Sequence, residues 1–571
     1  MRAGFCCVCI LICGSVLGQT VSPPVAASPA SSPADNAMPT FHATSRLVLV
    51  DVVVTGKHAE FVRGLKPDDF TLLENGKPQR ISAFSAHAAS DAAQRPAPQI
   101  QLPPHQYTNF SAPAPDHPIT IVLMDMLDTE FSDRTYARQQ MLKFLSTMPA
   151  GQPVALFVLG SSLQMLQGFT QSSDALVAAA KSIIDKNENA HLLTSQQEVQ
   201  DAADMDTDLA IIAGQSPASP ISIERALQGY EAYQTDVRIR STLASLRALA
   251  QAVAGYPGRK NLIWLSGNFP LAFGPEFDND SRQLHYLLYQ REVHELSSLL
   301  ASSQIAVYPI NVRGLEVHAP SGIQMGIPKI GFSRDQLQTL ARWNTEFTVN
   351  EIAKETGGEA FYNQNDLRAL MLRSLDEGTN YYTLAYVPQD RDWNGKYRKI
   401  AVKLAMEGVK IRYRNGYYAM PDQPAEQKDA ARLLALAMQP SVPESTRLLL
   451  KVAVLPPDAG RKSVSIDLAI NPGDLIFTDG PDQRKLTIVD FMAVALDKKL
   501  KESGVASNTV DATMRLETYK QVMQTGFPGH LDLELKPGKY VLRLGAIDRN
   551  SQKIGTVDVP ITIPDPETAQ K

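Results

Sequence analysis

The stretch His117-Pro-Ile-Thr-Ile-Val-Leu-Met-Asp-Met-Leu-Asp-Thr129 decides the fold of this chain. Within it, residues 119–124 are almost wholly apolar, which is the pattern of a strand buried on both faces of a sheet. The run ends abruptly at Asp125, and acidic and hydroxyl side chains follow it. Apolar residues then recur at helical spacing over 134–148 and predict an amphipathic helix. The local order is therefore strand, acidic turn and helix.

The same alternation continues along the chain to residue 375. Helical patterns separate further apolar runs, which predict strands at 154–159, 261–265, 305–310 and 360–362. An additional run at 163–169 is predicted to be an antiparallel strand at one edge of the sheet. This alternation predicts an α/β domain with a doubly wound, Rossmann-like parallel sheet. In such sheets ligands bind outside the carboxyl ends of the strands, so Asp125 lies where a site is expected.

Strand patterns without long helices flank the α/β segment on both sides, and proline-rich stretches separate the segments. The C-terminal strands are short and favour a β-sandwich. The predicted organisation is a signal peptide over 1–18, a Ser/Pro/Ala linker over 19–40, a small β-domain over 41–87, a proline-rich linker over 88–116, the α/β domain over 117–375, a β extension over 376–420, a linker with a short helix over 421–444, and a β-sandwich domain over 445–565.

The composition of the chain indicates its cellular location and limits the classes of partner it is expected to bind. All four cysteines lie within the first thirteen residues, in an apolar segment that ends in small residues before Gln19. This pattern predicts a secretory signal cleaved near Gln19, and hence a periplasmic, extracellular or cell-surface protein without a transmembrane helix in its mature chain. An uncleaved membrane anchor is the alternative. The net charge of -5 over 571 residues gives no reason to expect nucleic acid as a partner.

Several motifs, taken in their order along the chain, resemble a family of secreted bacterial proteins of acidobacterial type with a divergent domain related to von Willebrand factor A. The motifs are Leu47-Val-Leu-Val-Asp-Val-Val-Val54, Asp69-Phe-Thr-Leu-Leu-Glu-Asn-Gly76, Asp125-Met-Leu-Asp-Thr129, Tyr136-Ala-Arg-Gln-Gln140, Gly258-Arg-Lys-Asn-Leu-Ile-Trp-Leu-Ser-Gly267, Glu355-Thr-Gly-Gly358, Tyr381-Tyr-Thr-Leu-Ala-Tyr-Val-Pro388 and Tyr413-Arg-Asn-Gly-Tyr417.

The resemblance implies an adhesion site that binds a partner through a divalent cation such as Mg²⁺. In the family pattern a strand ends in Asp-x-Ser-x-Ser, a Thr comes from a later loop, and an Asp follows the fourth strand. Asp125 matches the first ligand and Thr129 replaces the second Ser, whereas Leu127 occupies the other Ser position. Ser266 stands in the place of the later Asp, and Asp128 could lend a carboxylate. Mg²⁺ prefers such oxygen ligands in octahedral geometry.

Other interpretations of the acidic residues remain open. Asp128, Glu130 and Asp133 either complete a rearranged cation site or stabilise the N-terminus of the following helix through its macrodipole. The acidic cluster over 201–208 resembles a calcium loop, but it lacks the turn glycine and the distal glutamate of an EF-hand. A solvated acidic face is the alternative interpretation of that cluster.

Binding rather than catalysis is the function that these features favour. The sequence has no Gly-x-Ser-x-Gly elbow, no His-Glu-x-x-His pair and no phosphate-binding glycine loop, and it has no cysteine beyond residue 13. We therefore expect an exported, non-enzymatic protein that recognises a protein or another macromolecule through the divergent adhesion site. A metal-free structural or scaffold component of an envelope assembly is one alternative, and a metal-assisted hydrolase that uses the acidic turn is another.

Overall fold

The computed structural model describes residues 47–58, 60–88, 102–109, 118–129, 131–160, 162–185, 220–256, 258–269, 279–315, 349–419, 427–440, 442–457 and 463–564. The predicted signal peptide and the linker over 19–40 lie outside the described residues. So do Glu130 and the acidic cluster over 201–208.

Five short strands precede the α/β segment. They are β1 (Val48–Thr55), β2 (Phe70–Glu74), β3 (Lys77–Pro78), β4 (Ile81–His87) and β5 (Gln106–Thr108). Asn75 and Gly76 join β2 to β3 with φ of 48° and 79°, so both residues lie in the left-handed region. An Asn-Gly pair suits that conformation and is a strong local signal in a sequence for a tight hairpin.

The segment from 119 to 379 alternates strands and helices. Its described residues form β6 (Ile119–Asp125), α1 (Phe131–Thr147), β7 (Val154–Leu159), β8 (Leu163–Thr170), α2 (Ser173–Asp185), α3 (Pro220–Val253), β9 (Lys260–Ser266), α4 (Asn279–Ser302), β10 (Ile305–Asn311), α5 (349–356) and α6 (Leu367–Thr379). The sheet order is β10-β9-β6-β7-β8. The first four strands are parallel, and β8 runs antiparallel to β7 at the edge, as its position predicted.

Helices cover both faces of this sheet. Apolar residues of α3, α4 and α5 pack on one face, and those of α1, α2 and α6 pack on the other. Because each strand is buried on both sides, its sequence is a continuous apolar run. The stretch predicted as a strand at 360–362 pairs in parallel with β10 through a single bridge between Ile310 and Phe361, so its position was right but it does not form a full strand.

Strands dominate the remainder of the chain. The elements are β11 (Tyr381–Tyr386), β12 (Tyr397–Leu404), β13 (Lys410–Tyr413), β14 (Gly416–Tyr418), α7 (Gln427–Ala437), β15 (Leu450–Leu455), β16 (Val464–Ile470), β17 (Thr478–Asp479), β18 (Lys485–Leu496), β19 (Glu502–Met514), α8 (Leu516–Thr525), β20 (Phe527–Leu533), β21 (Gly538–Asp548) and β22 (Ile554–Ile563). No pattern in the sequence indicated β19, α8 or β22.

The separation of 41–87 from 376–420 into two domains was wrong. One sheet has the order β13-β1-β11-β4 and another has the order β14-β12-β2-β3, so each contains strands from both segments. The two sheets share one apolar core. The chain therefore builds half of this first β-domain, forms the α/β domain, and returns to complete it. Neither half can bury its apolar residues alone, because the core between the sheets takes side chains from both segments.

Two sheets also share a core in the C-terminal part. Their orders are β20-β16-β15-β5 and β17-β18-β21-β22, with β19 paired to β18. Strand β5 lies within the predicted proline-rich linker over 88–116, so that stretch is not a linker throughout. The Asn109 side-chain amide fixes it by donating to the carbonyls of Ser445 and Leu448, at 2.7 and 2.8 Å. None of the helices in the described part of the chain is long and apolar enough to span a membrane.

Candidate functional site

The predicted site lies where the order of the strands changes direction. From β6 the chain moves to β7 on one side and later crosses to β9 on the other, and parallel pairing places β6 beside both. Asp125 is the last residue of β6, and Ser266 is the last residue of β9. Their side chains therefore meet at the switch point of the sheet, which is where ligands bind in open α/β sheets.

Protein donors surround the carboxylate of Asp125. Its Oδ1 accepts hydrogen bonds from the backbone N–H groups of Leu127 and Asp128, at 3.1 and 3.0 Å. Its Oδ2 lies 3.2 Å from the indole N–H of Trp264 and 3.0 Å from the hydroxyl of Ser266. The side chain has no exposure to solvent. Each carboxylate oxygen thus has two protein partners, which is close to its full capacity.

Burial changes the acidity of this carboxyl group. It raises the pKa of Asp125 to about 6, although the hydrogen bonds from Asp128, Ser266, Trp264 and Leu127 act in the opposite direction. Burial has the larger effect because removal from water penalises the charged form. No positively charged group is among the causes of this shift.

The hydroxyl of Ser266 connects Asp125 to the loop after β9. Its Oγ lies within hydrogen-bond distance of Asp125 Oδ2 and of the carbonyl oxygen of Asn268. A hydroxyl has one proton to donate, so it cannot donate to both oxygens at once. The bond from Ser266 to Asp125 has an ordinary length, so Ser266 is one of the donors to the carboxylate.

The two other predicted ligands also have protein partners. The hydroxyl of Thr129 accepts from the backbone N–H of Gly267 at 2.9 Å, and Gly267 approaches so closely that a Cβ there would lie 3.2 Å from the Cα of Thr129. The carboxylate of Asp128 accepts from the hydroxyl of Thr242 on α3 at 3.2 Å. The structure therefore brings all four predicted residues into one cluster, but the carboxylate of Asp128 faces α3.

Arg134 on α1 fixes the loop from the other side. Its guanidinium donates to the carbonyl of Thr129 at 2.8 Å and to that of Met126 at 2.6 Å. Asp133, a further candidate ligand in the sequence, forms an ion pair with Arg313 at 3.7 Å. The turn after β6 is thus held by a guanidinium, by α3 and by the loop after β9.

The donor set does not fit Mg²⁺ as it stands. Asp125, Thr129 and Ser266 are at most 2% exposed, and their oxygens are engaged with protein groups. Mg²⁺ needs several free oxygens in octahedral geometry and usually retains water. Among the described residues, no three His, Cys, Asp or Glu side chains are grouped so that they could hold a metal ion. Cation binding at this turn remains a prediction for titration to test.

Two partners in this cluster were missed by the sequence analysis. Trp264 belongs to one of the quoted motifs, but its strand position indicated only a core residue. Thr242 lies in the middle of a long helical pattern, 114 positions from Asp128. Nothing local in the sequence distinguishes it from other helical residues.

Comparison with known proteins gives no family assignment. No family model matches the chain, and no curated protein matches it. Among solved structures, an aerotolerance-related membrane protein from Bacteroides fragilis aligns with 46% of this chain and 99% of its own, at 14% identity and a TM-score of 0.23. BatB from Bacteroides thetaiotaomicron aligns with 46% and 98%, at 11% identity and a TM-score of 0.21. A von Willebrand factor type A protein from Catenulispora acidiphila aligns with 92% and 76%, at 9% identity and a TM-score of 0.20.

Proposed function

We propose that this chain is an exported, non-enzymatic scaffold or adhesion-type protein whose α/β domain works without a bound metal ion. One observation carries the proposal. The carboxylate of Asp125, the first ligand expected of an adhesion site, is fully buried and takes its hydrogen bonds from four protein donors. A carboxylate in this state closes the top of the sheet and presents nothing to a partner.

The metal-dependent alternative requires a large local change. A cation at Asp125 would have to replace the donors on one carboxylate oxygen and also free the hydroxyls of Thr129 and Ser266. Each buried donor that loses its acceptor costs about 1–3 kcal/mol. The indole of Trp264 would be one such donor. The closed arrangement is therefore the better basis for function.

Contacts between the domains support a scaffold role. The buried Arg259, just before β9, lies 3.9 Å from the carboxylate of Asp51 in the first β-domain, and its backbone N–H donates to the hydroxyl of Tyr381 at 3.2 Å. At the end of α3, the hydroxyl of Thr446 donates to the carbonyl of Ala252 at 2.6 Å and accepts from the N–H of Gly255 at 3.0 Å. The α/β domain is thus joined to its neighbours on both sides by specific polar contacts.

The hydrolase alternative has less support. A metal-assisted hydrolase needs ligands for the metal and a group that activates water. The acidic turn offers Asp125 and Asp128, which are 0% and 6% exposed and are bonded to other protein groups. Neither side chain can reach a water and a substrate together in this arrangement.

Capture of partners in two buffers tests the proposal. The full chain is used as bait on extracts of the source cells, once with Mg²⁺ and once with EDTA. We expect the same partners in both buffers, and their retention by the Asp125→Asn variant. A matched control is Asp548→Asn, since Asp548 is equally buried in the C-terminal domain and accepts from the backbone of Ile476 at 3.0 Å. Partners that require Mg²⁺ and are lost only in Asp125→Asn would contradict the proposal and support the metal-dependent adhesion site.

A further inference from the structure

The hairpin between β18 and β19 has an unusual residue at its tip. The N–H of Leu500 donates to the carbonyl of Asp497 at 2.9 Å, and the N–H of Asp497 donates to the carbonyl of Lys501 at 2.9 Å. One oxygen of the Asp497 carboxylate also accepts from the backbone of Lys499 and Lys501, at 2.7 and 3.0 Å. The tip is therefore a well-defined turn, and its conformation is set by Asp497.

That turn places Leu500 in the left-handed region, with φ of 60°. Hairpins of this length normally have glycine or asparagine at such a position, because a branched side chain is strained there. The seven other non-glycine residues with positive φ among the described residues are Asn, Asp, Gln or His. Leu500 is thus the one apolar residue of this group in the described part of the chain. Strain of this kind persists where function requires the side chain.

Packing within the folded protein does not explain why residue 500 is a leucine. The side chain is 56% exposed, and it belongs to none of the apolar cores formed by the described residues. Asp497 already fixes the turn through the backbone. A glycine at position 500 would relieve the strain and lose little packing, so packing within the described residues gives no reason for a leucine there.

Lysines lie beside this leucine in the sequence and on the neighbouring turn. Strand pairing of Leu496 with Val541 brings the turn between β20 and β21 to the same end of the sandwich as the hairpin tip. A Cβ on Gly504 would lie 3.0 Å from Leu535, which confirms that this turn is next to β19. Among the described residues at this end, exposed lysines outnumber the carboxylates of Asp497, Glu502 and Glu534, and they are Lys498, Lys499, Lys501, Lys536 and Lys539.

We propose that the β18–β19 hairpin tip, with Leu500 at its apex and the five lysines around it, docks onto a phospholipid bilayer with anionic headgroups. The apolar side chain enters the boundary of the acyl chains, and the long lysine side chains lie along it with their ammonium groups at the phosphates. Anionic lipids attract basic residues near their surface. A protein partner fits less well, because stable protein interfaces need about 800 Å² of matched surface on each side and the tip is a narrow, convex turn.

Vesicle co-sedimentation with the full chain tests this proposal. The probe is vesicles of equal parts phosphatidylglycerol and phosphatidylcholine, compared with phosphatidylcholine alone. We expect binding to the anionic vesicles that weakens with added salt. Leu500→Gly should reduce the partition coefficient about tenfold or more, since it removes a buried leucine side chain. The same variant should unfold at an equal or higher temperature than the wild type, because its backbone strain is relieved.

Gln552→Gly is the matched control. Gln552 also has positive φ, at 55°, but it lies in the hairpin between β21 and β22 at the opposite end of the sheet. This variant should bind vesicles as the wild type does. The proposal would be overturned if the gain in binding from neutral to anionic vesicles were equal for Leu500→Gly and the wild type, or if the wild type showed no such gain. A partner protein lost on Leu500→Gly without any vesicle binding would overturn it in favour of a protein interface.

A local measurement separates the tip from other attachments to the membrane. The apolar segment over 5–17 could hold every variant on vesicles, so binding alone is not enough. In a Leu500→Trp variant, the emission of the new tryptophan should shift to the blue on anionic vesicles and be quenched by brominated lipid. Gln552→Trp should show neither effect. An unchanged emission of Leu500→Trp would contradict insertion of the tip.

Discussion

The two ends of the central sheet treat buried ionisable groups in different ways. At the carboxyl ends of the strands, neutral N–H and O–H donors surround Asp125. At the amino end of β9, Arg259 and Lys260 are also buried, at 2% and 1% exposure, but the structure provides them with charged and carbonyl partners. Arg259 contacts Asp51, Tyr308 and the carbonyl of Gly357.

The two kinds of contact have different structural roles: one joins loops within a domain, and the other joins two domains. The neutral bonds of Asp125 join two loops of the same domain, whereas Arg259 reaches Asp51 and Tyr381 in the first β-domain. A buried charge is stable only when it is paired and hydrogen-bonded, so the position of Arg259 requires both domains to be in place. The motif residues Asp125 and Arg259 at the strand ends therefore bind other parts of this protein. Their burial determines this role more than their residue type does.

The largest expected effect is at the domain junction. Arg259→Met leaves Asp51 and the carbonyl of Gly357 without their partner, so we expect the free energy of unfolding to fall by about 3–5 kcal/mol. Denaturant unfolding of the variant should also show an additional transition at lower denaturant, because the first β-domain separates from the α/β domain. Arg432→Met, on the exposed surface of α7, is the control and should change little. An equal effect of both substitutions would remove the distinction between the two ends of the sheet.

Removal of the carboxylate at the other end should have a somewhat smaller effect. Asp125→Ala leaves four donors without an acceptor, among them the indole of Trp264, and we expect a loss of about 3 kcal/mol. Asp125→Asn keeps one acceptor oxygen and should lose less. Both variants should show the same loss in Mg²⁺ and in EDTA, as measured by denaturant unfolding. A loss that appears only in Mg²⁺ would indicate a cation ligand instead.

The pH dependence of the free energy of unfolding should reveal the buried lysine at the amino end of β9. Burial lowers the pKa of Lys260 to about 8, although Asp51 acts to raise it. The unfolded chain, with its ordinary lysine pKa, binds the proton more strongly between pH 8 and about 10.5, so stability should rise with pH in this window. We expect a gain of about 2 kcal/mol from pH 8 to 10.

Two matched measurements define this effect. Lys260→Met should flatten the rise, because it removes the titrating group, whereas an exposed substitution such as Lys428→Met should preserve it. Above pH 10 the raised pKa of Tyr381 acts in the opposite direction, since the unfolded tyrosine ionises first. The same rise in wild type and Lys260→Met would show that Lys260 is not the group responsible.

The smallest expected effect concerns the contact between the acidic turn and α3. Thr242→Val keeps the shape of the side chain but removes the hydroxyl that donates to Asp128, so we expect a loss of about 1 kcal/mol. Thr242→Ser should retain the bond and most of the stability. Denaturant unfolding of the three proteins measures both. Equal stability of Thr242→Val and wild type would show that α3 does not hold the turn.

Local patterns made much of the fold predictable. The apolar run that ends in Asp125 indicated β6 and the position of its turn, and Asn75-Gly76 indicated a hairpin. The pairing of β1 with β11 could not be predicted, because contacts such as that of Asp51 with Thr383 join residues 332 positions apart. Nothing in a strand pattern specifies so distant a partner.

The location of the candidate site could be predicted from the sequence, but whether its residues are free to bind a ligand could not. Asp125 and Ser266 were identified by their motifs, and the structure does bring them into contact. Whether they bind a ligand or one another depends on what covers them, and that cover includes Thr242 of α3 and the backbone of Gly267. Burial is a property of the whole packed domain, so the spacing of the motif residues could not reveal it.

Calorimetric titration of Mg²⁺, Mn²⁺ and Ca²⁺ into the full chain, beside its Asp125→Asn variant, is the most direct test. The full chain is required because a fragment over 117–420 would lack β1, β2 and β4, which pair with β11 and β12. We expect no saturable binding up to millimolar cation in either protein, since Asp125 already has four protein donors. Saturable binding in the wild type that disappears in Asp125→Asn would contradict the metal-free scaffold and establish a working adhesion site.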